Sequence, residues 1–439
     1  MFIEELQQLI NTKEVGDQLH ELIVELYPLC RSLTGGGVRN TLSILQRLVP
    51  LHVHEVPTGI KVFDWTVPQE WNIEDAYIKN SRGERIVDFR QSNLHVMSYS
   101  VPVKARMSLA ELMPRLYSLP EHPDWIPLRT SYYKRDWGFS LSHKQLMSLG
   151  EDDYEVCIDS SLTDGHLTYG EYYLPGEKTD EVLISTHICH PSLCNDNLSG
   201  IAIAAFLAKA LLGCDRRYSY RFLFIPVQIG SITWLARNES TVTRIKHGLV
   251  LNSIGDAGHS TYKKSRQGTA EIDRAAIHVL KHSGQPYAVI DFYPHGYDER
   301  QYCSPGFNLP VGCLMRSPPG QFPGYHTSAD NLACVKPEAL ADSYSKCLKI
   351  LAVLEGNRKY LNLNPKCEPQ LGRRGLYRTT GDLRGGGRVA ELPLLWVLNL
   401  SDGQHSLLDI ADRSGVAFEE VRRAAHSLLA CGLIREIDA

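Results

Sequence analysis

Residues 182–212 restrict the possible folds more than any other stretch. Val182-Leu-Ile-Ser-Thr-His187 is an apolar run ending in histidine, a polar loop with His190 and Asp196 follows, and a helical pattern runs from Ser199 to Leu212 before Gly213. A strand that passes through a loop into a helix is a unit of an open α/β sheet. Such sheets keep their binding crevices at the carboxyl ends of the strands. A histidine and a carboxylate placed there suit a metal ion over the crevice, and a ligand arriving much later closes such a site. The Gly/Pro-rich run Gln321-Phe-Pro-Gly-Tyr-His326-Thr-Ser-Ala-Asp-Asn331 supplies that later ligand, His326.

The surrounding pattern is consistent with this unit. Strands are expected at Asp153–Leu162, Leu167–Leu174, Glu181–Thr186, Tyr218–Pro226, His247–Ile254, Ala288–Phe292 and Pro310–Met315. Helices are expected at Ser199–Leu212, Thr269–His282 and Pro337–Leu354, the last with proline in its first turn. Residues 1–49 read as two amphipathic helices joined at Thr34-Gly-Gly-Gly-Val, and 50–150 as an inserted β-rich module. Residues 151–360 form the α/β core, and 361–389 read as a linker rich in Pro, Gly and Arg. Residues 390–439 carry three short helical patterns and a closing strand, the spacing of a winged helix-turn-helix.

With 439 residues the chain exceeds one ordinary core, in agreement with several domains. A net charge of -4 gives no general electrostatic case for nucleic acid. No run reaches the roughly 18 apolar residues of a membrane span, and the acidic start Met-Phe-Ile-Glu-Glu-Leu lacks the basic region of a signal peptide. Eleven cysteines without a Cys-x-x-Cys pair point to reduced thiols and a cytoplasmic location. Cys189 and Cys194 flank the metal loop, and the expectation is that they pack there rather than ligate.

The strings Asn195-Asp-Asn-Leu-Ser-Gly200 and His326-Thr-Ser-Ala-Asp-Asn331 resemble the Asp-Asp-Asn-x-Ser-Gly and His-Thr-x-x-Asp strings of the leucyl-aminopeptidase-like zinc exopeptidases. Zinc-dependent glutaminyl cyclases and carboxypeptidases share that fold. The whole chain, including Tyr297-Asp-Glu-Arg-Gln-Tyr-Cys and Thr261-Tyr-Lys-Lys-Ser-Arg, resembles bacterial proteins with an aminopeptidase-like domain, an inserted β-rich module and a C-terminal winged helix. The resemblance implies an α/β/α sandwich and a zinc-dependent hydrolase acting on a small peptide or an amide-bearing metabolite.

This sequence departs from that pattern where the chemistry is concentrated. Two adjacent glutamates of the zinc aminopeptidases, one a general base and one a ligand, fall on Val227 and Gln228. The bridging aspartate falls on Asn195 in an ungapped alignment, and a further metal aspartate near Asn252 is also an amide. Two dications need several carboxylates, so one Zn2+ is expected, held by His187, Asp196 and His326. His190 is the alternative ligand, or else supports the site from behind.

With the glutamates gone, Glu299 and Asp298 become the expected general bases and Asp256 a weaker one. Lys263, Lys264 and Arg266, with Tyr325 beside His326, are the expected substrate contacts. A non-catalytic ligand- or peptide-binding protein on the same fold is the rival reading. In the winged helix, Glu419 and Glu420 beside Arg422 and Arg423 leave no basic face for DNA. A protein or peptide partner, or self-association, is expected instead.

Overall fold

Runs such as Val182-Leu-Ile and Tyr220-Arg-Phe-Leu-Phe are apolar on both sides because the sheet they form is covered on both faces. The computed structural model describes residues 12–322, 324–376 and 387–437. The central sheet contains β1 (His52–Pro57), β2 (His166–Leu174), β3 (Glu181–His187), β4 (Ser219–Ile225), β5 (Ile245–Leu251), β6 (Ser260–Lys263), β7 (Tyr287–Ile290) and β8 (Val311–Met315). Their spatial order is β1-β2-β4-β3-β5-β8-β6-β7. The middle strands β4, β3, β5 and β8 run parallel; β1–β2, β2–β4 and β8–β6 pair antiparallel, and the edge pair β6–β7 is parallel.

Successive side chains point to opposite faces of a strand. Val182, Ile184, Phe222, Phe224, Leu249 and Leu251 enter one apolar cluster, while Leu183, Leu223, Ile225 and Val250 enter the other. Each such side chain, fully buried, is worth roughly 1.5–3 kcal/mol. Helices α1 (Thr12–Leu26), α2 (Gly36–Leu45), α3 (Ser199–Leu211), α5 (Glu271–Lys281) and α6 (Pro337–Gly356) cover the first face. Helix α4 (Ile229–Arg237) and part of the inserted module cover the second. The result is an α/β/α sandwich.

Several boundaries differ from the sequence reading. Asp153–Thr163 belongs to the inserted module, where it is flanked by Glu70–Lys79 and Val103–Ser108 in a four-stranded sheet. Conversely, β1 lies within the stretch read as the insert but pairs with β2 at the edge of the central sheet. Strand β6 escaped notice because Lys263 at its end reads as solvated, yet that lysine is buried against Glu299. Helix α4 escaped because Gly230, Ser231 and Thr233 dilute its apolar stripe.

The stretch expected as a linker opens inside a strand. Lys359–Asn362 is the middle strand of the winged-helix sheet, between Asp402–Ser406 and Ile434–Ile437. Helices α7 (Gly387–Leu400), α8 (Leu407–Ser414) and α9 (Phe418–Ala430) complete that domain. It is seated on the body through α5. His278 Nδ1 lies 3.1 Å from Asp412, its Nε2 accepts the Phe418 amide at 3.0 Å, and Arg274 pairs with Asp409 and Asp412. The first eleven residues and most of the Arg384–Arg388 cluster lie outside the described residues. No described helix is long and apolar enough to cross a membrane.

Candidate metal centre

Parallel register brings the site together. His187 at the end of β3 stands opposite Ile225 of β4, and Ser185 opposite Val250 of β5. The chain segments leaving all three strands, Ile188–Leu198, Pro226–Gln228 and Asn252–Ser253, therefore open on one edge. Helix α3 then starts so close to β5 that a Cβ at Gly200 would lie 2.5 Å from the Leu251 carbonyl oxygen. The Ser-Gly of the motif is thus a packing requirement.

Asp196 is the centre of the cluster, fully buried with His187, which is 1% exposed. Its Oδ1 is 3.2 Å from His187 Nε2 and its Oδ2 is 2.9 Å from His326 Nε2. The His190 ring lies between them, 4.6 Å from that of His187 and 5.2 Å from that of His326. Ligand atoms of His187, His190 and Asp196 all fall within 4.8 Å of one another; the expected ligand His326 stands outside that group and meets it at Asp196 Oδ2. Asn195, the ungapped match to the family's bridging aspartate, turns away. Its amide donates to Asp256 at 2.7 Å and its carbonyl oxygen accepts from Gly255 N.

The donor set fits a metal ion. His187 Nε2 is buried without a well-aligned hydrogen-bond partner, while the Asn252 amide lies 3.1 Å from Nδ1 and fixes the ring. A ligating imidazole commonly donates from its second nitrogen to an oxygen, so ligation through Nε2 requires the Asn252 side chain to present its oxygen, not its amide nitrogen, to Nδ1. Burial raises the Asp196 carboxyl, but the three imidazoles around it outweigh that and hold it well below the usual range. Burial likewise pushes His190 down to about 3, so its ring is neutral at physiological pH and its lone pair is free.

Residues that the sequence reading did not single out complete the frame. Asp330 accepts the backbone amides of Asn195 at 2.6 Å and Asp196 at 2.9 Å, which fixes the metal loop from the His326 loop. Burial lifts its carboxyl to about 7. Tyr297 stacks on His187 at 5.3 Å and lines the cleft. Arg31, 1% exposed, donates through Nε to the His190 carbonyl at 3.0 Å, and its Nη2 has no partner. The only signal for Asp330 was its place in the His-Thr-x-x-Asp string; Arg31 and Tyr297 gave none beyond residue type.

Above the cluster is a cleft of about 310 Å³. The inserted module forms one wall, because Leu128 N donates to the His326 carbonyl at 2.8 Å and Ser328 N to that of Ile126 at 2.9 Å. Cleft-lining Tyr133, Gln228 and His326 all have left-handed backbones, with φ of 65°, 62° and 55°. Such conformations cost non-glycine residues about 1 kcal/mol or more and cluster at functional sites.

Val227 and Gln228 do line the cleft, so the wall has no carboxylate where the aminopeptidase pattern has two. The other acid/base candidates are corrected by their surroundings. Glu299 is buried in an ion pair with Lys263 at 2.8 Å, both 1% exposed. Asp298 faces the start of α4, its Oδ1 accepting from Gln228 N at 2.7 Å and Ser231 Oγ at 2.8 Å. Burial raises its carboxyl. Asp256 accepts from Asn195, Gly258 and Ser317.

The expected basic clamp does not assemble. Lys263 is spent on Glu299 and the His295 carbonyl, Lys264 pairs with Asp291, and Arg266 bonds Asn308. Of the expected substrate contacts only Tyr325 lies on the cleft, stacked on His326 at 3.9 Å. Cys189 accepts the Val227 amide at 3.2 Å, and Cys194 is buried in the apolar core.

Comparison with known proteins agrees with this architecture. Residues 20–357 match the family described as "Domain of unknown function (DUF4910)", and residues 358–436 match a winged helix-turn-helix. A Clostridium acetobutylicum protein named "Putative polysaccharide biosynthesis protein with aminopeptidase-like domain" is 56% identical, covering 99% of this chain and 100% of its own. A crystal structure of a "putative peptidase" from that organism is 54% identical with a TM-score of 0.95, covering 99% of this chain and 100% of the other. A zinc aminopeptidase from Bacillus subtilis shares the fold at 12% identity, with a TM-score of 0.56 over 77% of this chain and 95% of its own.

Proposed function

The chain belongs to the DUF4910 family, with an aminopeptidase-like fold and a C-terminal winged helix, and we propose that its cleft is the active site of a single-zinc amidase or peptidase. The observation that carries this reading is the buried His187 Nε2, 3.2 Å from Asp196 Oδ1 without a well-aligned hydrogen bond, with the His190 donor within 4.8 Å. His187, Asp196 and His326 would hold the ion, with His190 as a further donor. When bound there, zinc supplies Lewis-acid polarisation of a carbonyl and lowers the pKa of a water.

The protein's own groups do the rest. Tyr297, above the His187 ring, offers a phenol to the substrate carbonyl oxygen. Gln228 offers a neutral amide and holds no proton for transfer. His295, exposed on the cleft rim, is the imidazole outside the donor set and takes the proton-carrying role that no wall carboxylate can fill.

Elemental analysis of purified full-length protein tests the reading. One zinc per chain is expected, falling below about a tenth in His187→Ala with the fold retained. Folded wild-type protein that takes up no zinc overturns it. The carboxylate-free wall supports a second reading, a binding protein on the same fold. Stoichiometric zinc and tight ligand binding without turnover of any amide would favour that one.

For the winged helix we propose a protein or peptide partner. On α9, Arg422 is tied to Glu419 at 2.8 Å, and Arg423 is 3.5 Å from the same carboxylate.

A further inference from the structure

Resting on the hydrolase reading, the geometry points to a substrate class: an amide whose amino group is blocked, carrying a planar or apolar group that leaves the cleft over Tyr133 and Trp65. The first argument is charge. Among the described residues lining the cleft there is no Asp, Glu, Lys or Arg. A free α-ammonium entering such a cleft loses its hydration and meets aromatic faces and neutral acceptors but no carboxylate.

None is available to it. Both oxygens of Asp196 face imidazoles. Glu299 is bound to Lys263, and Asp298 Oδ1 to the Gln228 amide and Ser231. Asp298 Oδ2 has no partner, but it is fully buried and Asp298 lies outside the cleft lining. The buried guanidinium of Arg31, directly behind His190 and without a carboxylate partner among the described residues, adds positive potential to the floor. An ammonium is repelled there; an acylated nitrogen is not.

The second argument is shape. The cleft walls are largely apolar and aromatic, lined by Leu33, Leu128 and Ile229 together with Tyr132, Tyr297 and Tyr325. At the mouth Tyr133 is 52% exposed and meets Trp65, 39% exposed, edge to face with ring centres 5.4 Å apart. Two adjacent exposed rings form a platform on which a planar or apolar group can pack. Tyr133 keeps this position on a left-handed backbone that tyrosine rarely adopts. Trp65 belongs to the short Lys61–Val62/Trp65–Thr66 hairpin, so the platform extends the cleft onto the inserted module.

Two hydroxamates that differ only in the amino cap, phenylalanine hydroxamate and N-acetyl-phenylalanine hydroxamate, test the proposal by calorimetric titration of zinc-loaded full-length protein. The capped probe is expected to bind at least about 10-fold more tightly. Trp65→Ala and Tyr133→Ala, both at exposed positions, should weaken it about 3- to 10-fold with unchanged melting. Thr130→Asp, which places a carboxylate on the wall, should narrow or reverse the preference. Equal or tighter binding of the free amine to wild type overturns the substrate class while leaving the hydrolase reading intact. Binding of neither probe to protein that holds zinc overturns the hydrolase reading and the substrate class with it.

Discussion

Replacing Glu299 by glutamine separates two roles that the sequence could not. Lys263 Nζ lies 2.8 Å from Glu299 Oε1, and each side chain is 1% exposed. Removing the countercharge leaves a buried ammonium, at a cost of about 3–5 kcal/mol. The lower end applies, since Lys263 keeps the His295 carbonyl at 2.7 Å and the Tyr293 ring at 3.9 Å. Unfolding entropy of about 2.1 cal/mol/K per residue gives about 0.9 kcal/mol/K for 439 residues. The loss then lowers Tm by about 3 °C for a cooperative transition. Scanning calorimetry reads this directly. Lys263→Met combined with Glu299→Leu removes both charges and should recover most of the loss. Well below the transition, Glu299→Gln should keep amide turnover within a few-fold of wild type. An unchanged Tm together with turnover reduced about 10²- to 10⁴-fold would mean that Glu299 carries a proton in the reaction, and the structural assignment would fall.

Three further outcomes follow from the same geometry. His247 is buried against Tyr218 with Nδ1 unpartnered, and burial, helped by Arg217, pushes its pKa down to about 4. The unfolded chain binds that proton near pH 6.5, so stability is full above 6.5 and falls by about 3 kcal/mol as pH drops to 4. Denaturant titrations of His247→Phe should show that slope flattened, and an unaltered slope would count against the assignment. Asn252→Asp sets a carboxylate about where an amide now lies 3.3 Å from Asp196 Oδ1. It should lower metal-free stability by about 1–3 kcal/mol and make Tm more responsive to added zinc; a zinc-independent Tm would refute this. Finally, mobility-shift assays with the full chain and a short duplex at about 50 mM salt should show no complex, and a salt-sensitive shift would restore DNA as a partner.

The central sheet was legible because buried parallel strands are continuous apolar runs, as Val182–Ile184 and Phe222–Ile225 are. The metal loop was legible because histidine and aspartate at a strand end have few other uses in such a fold. What sequence could not give was direction. In Tyr297-Asp-Glu, the two carboxylates attract attention, yet the tyrosine faces the cleft and Asp298 and Glu299 face α4 and β6. Likewise Lys263 reads as a solvated charge until its distant partner, 36 residues on, is known. The contribution of Leu128 was invisible for the same reason, since its contact with His326 spans nearly two hundred residues.

The charge at the site bears on how many ions it suits. Two dications about 3.7 Å apart repel by on the order of 18 kcal/mol even at an effective dielectric of about 20. Sites that hold two offset this with a shared carboxylate and further carboxylates on each ion. Here Asp196 is the one carboxylate in the donor set; His187, His190 and His326 contribute dipoles, and Gln228 and Asn252 contribute amides. Arg31 adds a positive charge on the side where an acid would help. A donor set with one carboxylate and otherwise neutral groups suits a single ion. The same shortage of negative charge that argues against a second metal argues against an ammonium-bearing substrate, because both would have to draw on Asp196. The substitutions at Val227, Gln228 and Asn252 are therefore best understood together, as a change in the charge the site can accept and not only as the loss of a general base.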